Sequence, residues 1–73
     1  MNCIVNIIWD DEAEIWYTES VDIPGLVLHS TSFDILVERV RIAAPELLEE
    51  NLNHTGPVFI SFTAQRSIEA IAV

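Results

Sequence analysis

The sequence has no lysine, only two glycines (Gly25 and Gly56) and a single cysteine, Cys3. One cysteine rules out an intrachain disulfide, and no Cys/His cluster offers a structural zinc site. Two isolated glycines make no phosphate-cradling loop. No apolar run approaches the ~20 residues of a membrane span. The N-terminus also lacks the basic region and cleavable apolar stretch of a signal peptide, so the expected compartment is the cytoplasm. Positive charge is scarce throughout: Arg39, Arg41 and Arg66 stand against twelve Asp and Glu, for a formal net charge of −9 and a pI near 4.2. Nucleic-acid phosphates would be repelled by such a chain, which argues against direct binding to DNA or RNA. A basic partner suits it, because complementary potentials raise association rates and suppress wrong partners. The plainer alternative is that the acidity only keeps the protein soluble.

Apolar residues, by contrast, are plentiful, at 51% of 73 residues. A single domain of this size buries only ~60% of its unfolded surface. Without a disulfide or a metal, the remaining aid to stability is oligomerisation or a bound partner. Cys3 to Trp9 is rich in β-branched and aromatic residues and reads as a strand. Cys3, Val5, Ile7 and Trp9 fall on one face; Ile4 and Ile8 fall on the other, relieved only by Asn6. A strand apolar on both faces belongs inside a sheet covered on both sides. One helix covers only one side, so the mismatch predicts a homo-oligomer, a dimer or higher.

The polar run Asp10–Glu14 lacks Asn-Gly or Asp-Gly and predicts a hairpin loop longer than two residues. Ile15–Ser20 reads as the second strand. In Asp22-Ile23-Pro24-Gly25, Pro24 sets φ for the first central turn position and Gly25 supplies the positive φ of a type II turn. Leu26 to about Ser30 reads as a third strand. Thr31 is then an expected N-cap, with Asp34 three residues on as an aspartate version of the capping box. Phe33, Leu36, Val37, Val40, Ala44, Leu47 and Leu48 form one helical stripe. The stripe stays in phase past Pro45, which favours one kinked helix over two separate ones. Gly56-Pro57 reads as the stop signal. Val58, Ile60, Phe62 and Ala64 alternate with Phe59, Ser61, Thr63 and Gln65 as a last strand, and the apolar tail Ile68–Val73 has no evident place. The order is β-β-β-α-β, an α+β domain.

Trp9-Asp10-Asp11, Trp16, the D-x-P-G turn (Asp22 to Gly25), Thr31 and the helix through Pro45-Glu46-Leu47-Leu48-Glu49-Glu50-Asn51 resemble the HicB-like antitoxin family. They resemble more closely a small single-domain relative of it without an assigned function. The likeness covers roughly Ile4 to Phe62. It implies a partial ribonuclease-H-like fold with sheet order 3-2-1-4 and the helix on one face. It also implies an antitoxin-like role, covering a small basic ribonuclease toxin with a double-stranded-RNA-binding-like fold. The DNA-binding segment that full antitoxins carry after this domain has no counterpart here, so only the toxin-covering half of the role is expected. The hairpin glycine common in the family is replaced by Ala13 and Glu14. On this reading Asp11, Glu12, Glu14 and Glu38 would meet the basic partner and Trp16 would anchor it. Asp22, Pro24, Gly25, Thr31 and Asp34 would shape the fold.

Enzymatic chemistry finds little support in the residues. True ribonuclease-H enzymes hold two metals through converging carboxylates. Here Asp10, Asp11, Glu12 and Glu14 crowd one loop, where carboxylates are ordinarily just solvated, and the loop lacks the spacing of an EF-hand. His29 and His54 have no partner at catalytic or ligand spacing, and Cys3 has no nearby base. Trp9 and Trp16 suit a core or a dimer contact better than a ligand platform. No catalytic residues, metal or cofactor are expected. Two functions remain: an antitoxin-like binding module, or a self-associating domain without a toxin.

Overall fold

The computed structural model describes residues 1–72. Its elements are β1 (Asn2–Asp10), β2 (Ile15–Glu19), β3 (His29–Ser30), α1 (Phe33–Leu52) and β4 (Phe59–Gln65). They form an α+β fold whose four-stranded sheet runs β3-β2-β1-β4. β1 pairs antiparallel with β2 and parallel with β4, so the strand with two apolar faces lies inside the sheet. Among the described residues no helix is long and apolar enough to cross a membrane.

α1 buries Leu36, Val40, Ala44 and Leu48, one residue per turn along a single line. These meet Cys3, Val5 and Ile7 of β1 and Ile23 and Leu26 from the turn segment, and together the nine make the core. Each fully buried Leu or Ile in such a core is worth ~1.5–3 kcal/mol. The helix continues through Pro45, whose position is exposed, so water can reach the Arg41 carbonyl that the proline leaves without a donor.

The helix begins one residue later than the Thr31 cap predicts. Ser32 is the N-cap, in extended conformation, and its Oγ accepts from the Ile35 N–H at 3.3 Å. Ser30 Oγ accepts from the Ser32 N–H at 3.1 Å and pins the approach, leaving Thr31 exposed outside the helix. Asp34 therefore lies in the first turn, where its charge suits the helix dipole, and does not close a box with Thr31. The helix also stops before Gly56-Pro57. Asn53 takes a left-handed conformation (φ 53°) and donates to the Glu49 carbonyl at 3.1 Å, while the His54 N–H donates to Leu48. Asn is among the few residues that visit this region readily.

β3 is two residues long, shorter than the expected Leu26–Ser30. The cause is Thr18, the buried polar residue of β2. Its N–H donates to the Leu28 carbonyl, but its Oγ1 intercepts the Leu28 N–H at 3.1 Å, replacing a backbone ladder bond with a side-chain one. The predicted turn forms before it: Leu26 N–H donates to the Ile23 carbonyl at 3.3 Å, and Gly25 has φ 83°. Asn51 Nδ2 donates to the Pro24 carbonyl at 3.1 Å and ties this turn to the end of α1.

Candidate protein-binding surface

The hairpin loop is built around Asp10. Its Oδ1 accepts from the N–H groups of Glu12 (3.0 Å) and Ala13 (3.1 Å), so this carboxylate shapes the turn. Asp11 Oδ1 accepts from the Trp9 indole Nε1–H at 3.2 Å. Glu14 closes the loop at φ 54°, the left-handed region that the missing glycine would occupy without strain. Asp11, Glu12 and Glu14 therefore project from one exposed loop, as their spacing suggests.

Glu38 lies apart from this loop, on the second turn of α1. Both its oxygens accept from Arg41, the shortest contact being 2.6 Å. That hydrogen bonding and charge hold the Glu38 carboxyl below its ordinary range and raise the Arg41 guanidinium. Glu38 is thus already paired, while the loop acids face water.

Trp16 is less available than an anchor residue should be. It is half-buried, edge-on to Trp9 and to Phe33 with both centroid distances 5.2 Å, and it packs against the core. The Arg66 guanidinium lies over the Trp9 ring at 4.2 Å, a cation–π contact that no spacing of residues announces. This aromatic group joins the hairpin end of the sheet to the start of α1 and the end of β4.

Asp22 has a role beyond its turn. β2 ends at Glu19, so Ile4 of β1 has no strand opposite it on that side. Asp22 Oδ2 accepts from the Ile4 N–H at 2.8 Å, and Ser20 Oγ donates to the Ile4 carbonyl at 2.7 Å. Two side chains substitute for the missing strand. Ser20 carried no sequence signal for this role, because the contact depends on where β2 stops.

Burial raises the Cys3 thiol, and the Asp22 charge adds to that, against a smaller opposing effect of the N-terminal ammonium. His54 Nε2 is buried without a hydrogen-bond partner among the described residues. No group of three His, Cys, Asp or Glu among them converges in a way that could hold a metal ion. None of the twelve carboxylates is fully buried. Asp10 and Asp22, the two half-buried ones, are those that accept from backbone N–H groups. The arginines are committed elsewhere: Arg41 to Glu38, Arg39 to the His29 carbonyl at 2.7 Å, and Arg66 to the tryptophans.

The other exposed feature is the sheet face opposite α1. There Ile4 is 55% and Phe59 65% exposed, with Ile8 and Ile15 half-buried and Tyr17 exposed beside them. Asn2, Asn6, Asp10, Glu19, His29, Ser61, Thr63 and Gln65 share this face, with Thr63 Oγ1 donating to Asn6 Oδ1. Among the described residues, nothing within the protomer covers it.

The fold is similar to a solved structure, that of the hypothetical protein TTHA1013 from the extremely thermophilic bacterium Thermus thermophilus. The two chains are 34% identical with a TM-score of 0.81, over 96% of this chain and 100% of the other. No curated protein matches the chain significantly. The model of a domain of unknown function, DUF1902, matches residues 2–72, and this chain belongs to that family.

Proposed function

We propose that this domain is an antitoxin-like protein-binding module whose acidic surface covers a small basic ribonuclease. The observation that carries the reading is the disposition of charge. Ten of the twelve carboxylates are exposed, and among the described residues only Glu38 has an ion-pair partner. The field of a −9 protein is therefore left almost wholly for a partner to neutralise. The likeness of the D-x-P-G turn and its surroundings to HicB-like antitoxins points the same way. It is the expectation of a module acting by contact, not by catalysis.

The test is to find whether a small basic protein is encoded beside it and to co-express the two, followed by co-purification and binding kinetics at two salt concentrations. Rim charges act mainly on association rate and its salt dependence. Reversing Glu12 and Glu14 to Lys should slow association and flatten its salt dependence, while leaving the fold intact, because both side chains are exposed. The absence of such a neighbour, or failure to co-purify at low salt, would sink the reading. A second reading, a self-associating domain without a toxin, is favoured by the uncovered sheet face.

A further inference from the structure

The longest dimension of the molecule is 53 Å against 20 and 18 Å, with a radius of gyration of 14.1 Å. A compact chain of this length has a radius near 11 Å. The excess lies past β4. α1 is about 30 Å long at 1.5 Å per residue, and six further extended residues add about 20 Å. Residues 67–72 thus run on beyond the sheet as an arm. They belong to no element and all are exposed, Ile68 by 78% and Ile71 by 90%. Beside the arm's root lies the free edge of the sheet. β4 is the outermost strand, and its seven residues contain no charge, proline or bulge-forming glycine. These are the devices by which edge strands are ordinarily blunted.

We infer that the arm of one copy pairs antiparallel with the β4 edge of a second copy, and reciprocally, about a two-fold axis through Gln65. The inference rests on the self-associating reading alone and leaves the basic-partner reading untouched. The lengths match: with Gln65 on the axis, residues 66–71 lie opposite 59–64 and reach the first residue of β4. The register follows from side-chain chemistry, since directly opposite residues of an antiparallel pair share a face. With Gln65 opposite Gln65, Ile68 meets Phe62, Ala70 meets Ile60 and Ile71 meets Phe59, while Ser67 meets Thr63 and Glu69 meets Ser61. A slip of one residue would set Glu69 opposite Ile60 or Phe62 and move every arm side chain to the other face. The favoured register also places even-numbered residues of both copies on the helix side, so the two helices lie on one side of a joined sheet. The outer N–H and C=O groups of β4 gain partners, Ile68 is laid beside Phe62 on the helix side, and Ile71 beside Phe59 on the opposite face. The occupant is a second copy because the chain supplies a complementary segment in register, already extended and attached at the correct end of the strand.

The natural chain should sediment as a dimer at micromolar concentration. Ile68→Ser/Ile71→Ser should weaken dimerisation by about tenfold or more with unchanged circular dichroism, because both side chains are exposed in the protomer. Ile42→Ser, which changes another exposed isoleucine, on the helix, should leave the dimer intact. Opposite residues have Cα atoms about 4.5–5.5 Å apart, within reach of a disulfide. Gln65→Cys should therefore form an intermolecular disulfide on mild oxidation. Ser67→Cys should not, because its symmetry mate stands four residues along, about 13 Å away. A monomeric natural chain, a dimer that survives the double arm substitution, or cross-linking at Ser67→Cys as readily as at Gln65→Cys would each overturn the inference.

Discussion

The two faces of β1 carry similar residues and have opposite fates. Cys3, Val5 and Ile7 point at α1 and are buried; Ile4, Asn6 and Ile8 point away, with Ile4 mostly exposed and the other two half-buried. Ile4 and Ile7 are chemically identical. Their difference comes from what lies above each face: a helix stripe on one side and, among the described residues, nothing from the same protomer on the other. Apolar alternation therefore reports which face could be buried, and the number of covering layers decides which one is.

The largest effect separating the faces should come from paired truncations. Leu48→Ala removes a fully buried side chain from the helix stripe and should cost about 2–5 kcal/mol, by lost transfer energy and the cavity left behind. Ile4→Ala on the opposite face should cost well under half as much in the dissociated protomer. Urea denaturation at concentrations below any self-association would measure both. Equal losses would mean that Ile4 is covered within the protomer.

A smaller effect should follow at Thr18, the polar exception on the covered side. Thr18→Val keeps the shape but removes Oγ1, leaving the Leu28 N–H without its acceptor; the expected loss is about 1–3 kcal/mol. Amide hydrogen exchange at Leu28 should speed up with it. Unchanged stability and exchange would show that the backbone ladder reforms when the side chain is gone, lengthening β3.

The smallest effect concerns the turn that joins β1 to β2, outside both faces. Glu14→Gly should stabilise the fold by about 1 kcal/mol, since the left-handed conformation costs a non-glycine residue roughly that much. Thermal unfolding would register it as a rise in Tm. A fall would mean that the glycine's greater freedom in the unfolded chain outweighs the relief of strain.

Local pattern accounts for much of what is seen. The central place of the doubly apolar β1, the period-two alternation of β4, the helix stripe from Phe33 to Leu48 in phase across Pro45, and the Pro24-Gly25 turn all appear where the residues place them. The loop acids Asp11, Glu12 and Glu14 are as exposed as a polar run suggests. Each of these depends on neighbours a few residues apart, which is why it can be read along the chain. The choice of Ser32 over Thr31 as cap, the shortening of β3 by Thr18, the Asp22–Ile4 bond and Arg66 over Trp9 do not follow from spacing. The last two span 18 and 57 positions in sequence, and the cap depends on how Ser30 leaves the sheet. Such contacts exist only once the chain path has brought distant residues together, and several side chains of equal local merit then compete for one backbone group.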